Sequence, residues 1–283
     1  GVRNTVFGAL ALSEETTGEY STAVGYQALA LQNSTTGASM YNTAVGYQAG
    51  LSVTTGNLNT ILGGLAGDAI TTGTDNVAIG YSALSAEDAH GLNVAIGSQA
   101  LRVQNAGANA YNIGIGYNAG GAVTTGVRNV VVGGIALDAN TQSNLNVAIG
   151  HAALTNLNHT TSTDAYNVAV GANAGTTGIK NTLIGGQAGD GLTDADFNLA
   201  VGYGALSSDT LGSRSTALGY NALLAQNFTT ATNAYNVAVG FGTGGNITTG
   251  KQNTFVGSLA ADAVTTGTNN VAVGYLALSD ETA

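Results

Sequence analysis

Cysteine, proline and tryptophan are absent from this 283-residue chain, and charge is scarce, with 16 acidic and 6 basic side chains. Without cysteine there are no disulfides and no thiolate chemistry, although an exterior protein need not use disulfides. So few Lys and Arg in an acidic chain make a poor grip on nucleic acid or an anionic membrane. No apolar run approaches the roughly 18 residues of a membrane-spanning helix, and no stretch reads as a signal peptide. Low charge alone would fit disorder. An apolar content of 44% with strict periodicity argues against it.

What is present is a repeat. The pattern Asn-x-x-[Val/Ile/Leu/Phe]-Gly-x-x-Ala occurs sixteen times, beginning at Asn4, Ser21, Asn42, Asn59, Asn76, Asn93, Asn112, Asn129, Asn146, Asn167, Asn181, Asn198, Ser215, Asn236, Asn253 and Asn270. Ten of the fifteen spacings are 17 residues; three are 21, one is 19 and one is 14. Counting the start as position one, glycine holds position five in every unit, and alanine holds position eight everywhere except Thr243. Such a period is too short for a helical repeat. The run N-V-A-I-G alternates as a short strand should and ends on a residue that permits a corner. The second arc often closes with Thr-Thr-Gly, as at Thr54–Gly56 and Thr248–Gly250. The expected fold is all-β: a parallel β-solenoid with equivalent residues stacked about 4.8 Å apart, so that sixteen coils span roughly 75–80 Å. Residues 1–283 read as one repeat domain, a segment of a longer chain, since GVRNTVFGAL already lies inside a repeat and neither end carries a cap. The stacked asparagines are expected to form an amide ladder.

All twelve tyrosines occupy two places, directly before the start (such as Tyr41) or directly after the glycine (such as Tyr47, Tyr117 and Tyr203). The residue after the glycine also trades volume with position three: Ile61 goes with Gly64 and Phe255 with Ser258, whereas Ala44 goes with Tyr47. Close packing imposes such compensation, so both positions are expected to face one packed space.

Across positions one to nine of the sixteen units, 144 residues in all, there is no Asp, Glu, Lys or Arg. All 22 charges fall in the other 139 residues, and these are expected to be a solvated edge. A long uncharged β-face left open invites aggregation. Self-association that hides it, three parallel chains first, is therefore the expected arrangement, with Val45, Ile79, Ile149, Val201, Tyr47, Tyr117 and Tyr203 in the interface or core.

These residues resemble the YadA-like head repeat of trimeric autotransporter adhesins, a left-handed parallel β-roll made by three chains. NVAIGSQAL from Asn93 and NVAIGHAAL from Asn146 carry the likeness. The coils are mostly longer than that family's, and NTAVGYQAG followed by TTG and NT is more similar to the related repeats of bacteriophage tail fibres. The resemblance implies a homotrimeric, extracellular structural or adhesive fibre, on a virion appendage or a cell surface, that meets a glycan or protein receptor.

Chemistry is sparse. GNITTGKQ, from Gly245 to Gln252, approaches the phosphate-binding G-x-x-x-x-G-K-[ST], but Gln252 stands where a metal-binding hydroxyl is needed. His90, His151 and His159 fall at different coil positions, with packing the expected role of His151. The acidic residues lack calcium-loop spacing, and no Ser-His-Asp pocket is indicated. The expected protein has no catalytic residues, no cofactor and no metal, and does not insert into a membrane. Long coils starting at Ser21, Asn93, Asn146 and Ser215 carry polar insertions. Insertions in a solenoid become loops, often on the binding side, which makes Gln32, Asn33, Thr35, Asn105, Asn158, Thr160, Asn227 and Thr229 the candidate receptor contacts. The alternative is loop growth, or braces between neighbouring chains. An ice-binding array is disfavoured because Thr follows the start in only seven of the sixteen units.

Overall fold

A computed structural model describes residues 1–280. The chain is a parallel β-solenoid of about sixteen coils. It divides into two compact units, one of Gly1–Asn144 with His159–Thr163, the other of Leu145–Asn158 with the chain from Asp164. No helix among the described residues is long and apolar enough to cross a membrane.

In the first unit, β1 (Thr5–Phe7), β2 (Thr22–Val24), β3 (Thr43–Val45), β4 (Thr60–Leu62), β5 (Val77–Ile79), β6 (Val94–Ile96), β7 (Ile113–Ile115) and β8 (Val130–Val132) pair in chain order, followed by the short β9 (Ser143–Asn144). The second unit stacks β10 (Val147–Ile149), β12 (Val168–Val170), β13 (Thr182–Ile184), β14 (Leu199–Val201), β16 (Thr216–Leu218), β18 (Val237–Val239), β19 (Thr254–Val256) and β20 (Val271–Val273). Two-residue strands β11 (Thr163–Asp164), β15 (Gly212–Ser213) and β17 (Thr232–Asn233) lie in second arcs, where β15 pairs with β17. Within each unit every long pairing is parallel and in repeat register, as in Val94 with Ile113 or Thr216 with Val237.

Each three-residue strand points its middle residue inward and its flanking residues outward, as the pleat requires. Position three is buried in every coil after the first, and positions two and four are half-buried or exposed in nearly all. The interior is completed by the alanine of position eight and by positions nine and twelve. Those last two share one volume. Where position nine is glycine, position twelve is aliphatic: Gly50 with Val53, Gly67 with Ile70, Gly120 with Val123, Gly189 with Leu192, Gly244 with Ile247. A Cβ on Gly67 would come within 2.8 Å of Ile70 Cδ1, and one on Gly189 within 2.9 Å of Leu192 Cδ1. Where position nine is leucine, position twelve is polar, as in Leu29 with Gln32, Leu84 with Glu87 and Leu206 with Asp209. Leu154 with Leu157 departs from this, and in the 14-residue coil that follows Thr176 takes the buried place of position twelve, its Oγ1 accepting the Gly178 amide at 3.0 Å.

This corrects one expectation. Positions three and six do not share a packed space within the chain: Ala44 is fully buried while Tyr47 is 55% exposed. Residues three apart in an extended stretch face opposite ways, so position six projects outward. No contact within the chain explains their volume correlation. Compensation operates instead between positions nine and twelve.

The backbone is more constrained than the strand pattern implied. Every position-five glycine has φ between 128° and 143°, a region closed to other residues. An added Cβ would lie 2.2–2.7 Å from the carbonyl oxygen of the next coil's glycine within each unit. Position seven and the residue directly before the start are left-handed in all sixteen coils, usually without glycine: Gln48, Leu65, Tyr41 and Arg128 have φ of 54°, 57°, 52° and 59°. Such residues cost about 1 kcal/mol or more each, and the stack holds them there.

Two glycine substitutions separate these constraints. Gly202→Ala combines a forbidden φ with a 2.3 Å approach to the Gly219 oxygen, and should cost at least ~3 kcal/mol in denaturant unfolding. Gly107→Asn, at φ 70° with nothing within 4 Å of its Cβ, should change stability by less than ~0.5 kcal/mol. Equal effects would show that neither contact nor φ governs position five.

Candidate functional site

The start asparagine is a two-way brace. Its Nδ2 crosses its own coil to the carbonyl at position fifteen, as Asn59 does to Gly73 at 2.9 Å, Asn181 to Ala195 at 2.8 Å and Asn236 to Gly250 at 2.8 Å. Its Oδ1 accepts the backbone N–H of the next start: Asn42 from Asn59 and Asn181 from Asn198, at 2.9 and 2.8 Å. The expected amide ladder is therefore mainly a side-chain-to-backbone ladder. Direct amide contacts occur in a few coils, such as Asn59 Nδ2 to Asn42 Oδ1 at 3.2 Å.

Serine cannot span the coil, and both serine starts carry a compensating glutamine at position twelve. Gln32 Nε2 donates to Ser21 Oγ at 3.0 Å and to Glu15 Oε2 at 2.9 Å, while its Oε1 accepts from Asn42 Nδ2 at 2.9 Å. Gln226 repeats this with Ser215 at 3.0 Å, Asp209 at 2.5 Å and Asn236 at 2.8 Å. Gln32 is fully buried, so it is a strut and not a receptor contact. The other loop candidates lie differently. Thr35, Asn105, Asn158, Thr160, Asn227 and Thr229 are exposed and Asn33 is half-buried. Thr16 and Thr210 donate to the Asn33 and Asn227 side chains at 2.9 and 3.0 Å.

The charged residues are not uniformly a solvated edge. Asp209 and Glu87 are fully buried, and one carboxylate oxygen of Asp68 and of Asp262 is buried without a partner. Desolvation pushes the Glu15 carboxyl up, but donation from Gln32 and from the Gly18, Ser34 and Thr17 amides outweighs it and holds the pKa below the ordinary value. Burial holds the Glu87 carboxyl above its ordinary 4.5, opposed by the His90 amide. Glu87 Oε2 and Gln104 Nε2, the counterparts of the Glu15–Gln32 pair, are both buried and unpaired where Asn93 stands in place of serine. Glu87, Asp88 and His90 gather ligating atoms within 4.8 Å of one another, a set suited to a transition metal that the spacing of histidines did not reveal. His151 is exposed at position six and does not pack. The phosphate-loop likeness dissolves in the fold, since Ile247 is buried core and the Gly250 carbonyl receives Asn236.

The charge-free positions form outward rows. Val45, Ile79 and Val201 are half-buried and Ile149 is 37% exposed; Tyr47, Tyr117 and Tyr203 are 52–61% exposed. None of the seven belongs to the coil interior. Aromatic rings stack along the rows: Tyr26 on Tyr47 at 5.7 Å, Tyr203 on Tyr220 at 5.7 Å and Tyr220 on Phe241 at 5.1 Å. Directly before the starts, cations alternate with rings, with Lys180 and Arg214 5.1 and 5.2 Å from the Phe197 centroid and Arg214 5.8 Å from Tyr235.

No family model, curated protein or solved structure matches this chain.

Two measurements check the strut assignments. Gln226→Ala strands Asp209 and Ser215 in the interior and should cost ~1–3 kcal/mol of stability; a change below ~0.5 kcal/mol would remove the strut role. A raised folded-state pKa at Glu87 contributes stability that is complete below the unfolded pKa and is lost as pH rises through the folded one. Glu87→Gln should therefore raise Tm on the order of 2–4 °C at pH 8 and much less at pH 4; a gain independent of pH would contradict the buried carboxylate.

Proposed function

We propose that this chain is a non-catalytic segment of a homotrimeric fibre, of the tail-fibre kind its repeats resemble, which extends and presents a receptor-binding surface outside the cell. The observation that carries the reading is the outward strip at positions two, four and six. It is rich in Val, Ile, Thr and Tyr, it contains no charge in any coil, and much of it is solvent-facing on the single chain. An apolar face this regular marks an interaction surface. A partner that repeats at the same coil spacing matches it along its length, and another copy of the same chain has that spacing. A closed ring of copies covers every strip, which two open-ended partners would not.

The remaining features fit a mechanical part. Each coil donates backbone and side-chain hydrogen bonds to its neighbour, so stiffness is distributed along the repeat. The acidic excess lies off the strip and favours solubility.

Ile149 and Val201 sit on the strip and outside the coil interior, so aspartate there leaves the coil's own packing intact while placing charges in the seam. An uncompensated buried charge costs about 3–5 kcal/mol. Light scattering should give three times 27.8 kDa, about 83 kDa, for the wild type and the single-chain mass for Ile149→Asp with unchanged circular dichroism. A wild type that runs at 27.8 kDa at high concentration would sink the reading.

A further inference from the structure

Three coils carry an acid at position twelve, each just before a long coil: Glu15, Glu87 and Asp209. In two of them the acid is fully used. Glu15 accepts the Gly18 amide, the Ser34 amide and Gln32 Nε2. Asp209 accepts the Gly212 amide at 3.1 Å, the Phe228 amide at 3.0 Å and Gln226 Nε2. Both oxygens of each are thereby bonded. Glu87 is fully buried, yet it accepts only the His90 amide, at 3.2 Å through Oε1. Its Oε2 is buried with no partner among the described residues. Gln104 Nε2, the counterpart of the donors on Gln32 and Gln226, is unpaired as well, so this pair does not close.

The same closing turn departs from the repeat at two further places. His90 stands at position fifteen, where every other 17-residue coil has Gly, Ser or Ala. Asp88 stands at position thirteen, a place usually held by Thr. The fold does not call for either change. The Asp88 carbonyl accepts the Thr71 amide, and the His90 carbonyl accepts Asn76 Nδ2 at 3.1 Å, as carbonyls at those positions do in other coils. The backbone thus holds the turn, and the ligating atoms of Glu87, Asp88 and His90 gather within 4.8 Å of one another. His90 Nδ1 is buried without a hydrogen-bond partner and lies 3.6 Å from Glu87 Oε1. That separation is too long for a hydrogen bond. Two metal–ligand bonds of ~2.1 Å meeting at roughly 120° span it. Asp88 is exposed, so one side of the cluster opens to solvent.

From this we infer that Glu87, Asp88 and His90 bind one divalent first-row transition ion, zinc foremost. Two carboxylates balance the charge of such an ion, and the ion in turn supplies the partner that the buried Glu87 lacks. An imidazole nitrogen in the set suits zinc and disfavours calcium and magnesium, which take oxygen ligands. Three protein ligands leave a fourth position for water on the solvent side. The site lies at positions twelve, thirteen and fifteen, away from the strip at positions two, four and six. The inference is therefore independent of the oligomeric state and of the proposed function.

The test is isothermal titration calorimetry of the metal-stripped chain with zinc chloride. The wild type should take up one Zn²⁺ per chain with a Kd of roughly micromolar order or tighter, whether or not the chains associate. Calcium and magnesium should bind at least about a hundredfold more weakly. His90→Gly and Asp88→Thr install the residues usual at positions fifteen and thirteen, so both variants should keep the wild-type circular dichroism. His90→Gly should abolish stoichiometric uptake, and Asp88→Thr should weaken it about tenfold or more. His151→Ala and His159→Ala should bind zinc as the wild type does. No stoichiometric uptake by the wild type at ~100 µM zinc, or uptake that His90→Gly leaves intact, overturns the assignment. Loss of uptake in His151→Ala or His159→Ala with His90→Gly unaffected would place the ion elsewhere and overturn it too.

Discussion

The coil depends on one asparagine side chain with two ends. Nδ2 ties the first arc to the second, and Oδ1 ties the first arc to the next coil, as at Asn59 and Asn198. Both atoms are buried, so each bond left unmade would cost the full desolvation of an amide group. This explains why the start tolerates so little. Serine appears only where Gln32 or Gln226 reaches across to do the spanning, and an acid from the preceding coil then takes up the extra N–H. A substitution at the start is thus paired with one at position twelve of its own coil and another at position twelve of the coil before.

The same brace makes the rest of the backbone possible. A 17-residue coil must turn sharply several times, and it does so with left-handed residues that are mostly not glycine. In isolation such a chain would relax. Here each strained residue sits between hydrogen bonds running to neighbouring coils, such as Leu65 N–H to the Tyr47 carbonyl at 2.9 Å. The strain is local and the restraint is collective, so stability depends on the number of stacked coils more than on any one coil.

How much of this could be read in the residues divides along that line. The period, the three-residue strands, the corner glycine and the charge-free arc all followed from spacing, because each is repeated sixteen times. The direction of position six did not. Volume correlation between Ala44 and Tyr47 looked like packing, but residues three apart in an extended stretch face opposite ways, and with Ala44 buried Tyr47 projects outward. Gln32 looked like a loop residue because its neighbours Asn33 and Thr35 are polar, and nothing local marks it as buried. The signal that would have found it lies at a distance: Leu29 three residues earlier fills position nine, and serine occupies the start. The Glu87, Asp88 and His90 cluster was hidden for a similar reason, since it comes from a turn geometry and not from repeat spacing.

The repeat also explains where departures from it gather meaning. Even in regular coils the bonding is not complete, since the position-eleven amides of Ala69 and Ala122 find no backbone acceptor whereas that of Ser52 does. The long coils differ by addition beyond position thirteen, where Asn33 and Asn227 keep the stack by accepting from Thr16 and Thr210 of the preceding coils. The single short coil differs by subtraction. The residues that remain take over the missing places: Thr176 is buried at position twelve with its Oγ1 accepting the Gly178 amide, and Thr177 donates to the Thr193 carbonyl as Thr54 does to Thr71. Insertion decorates the surface, whereas deletion is absorbed by the closing residues, which shift inward to keep the core and the stack.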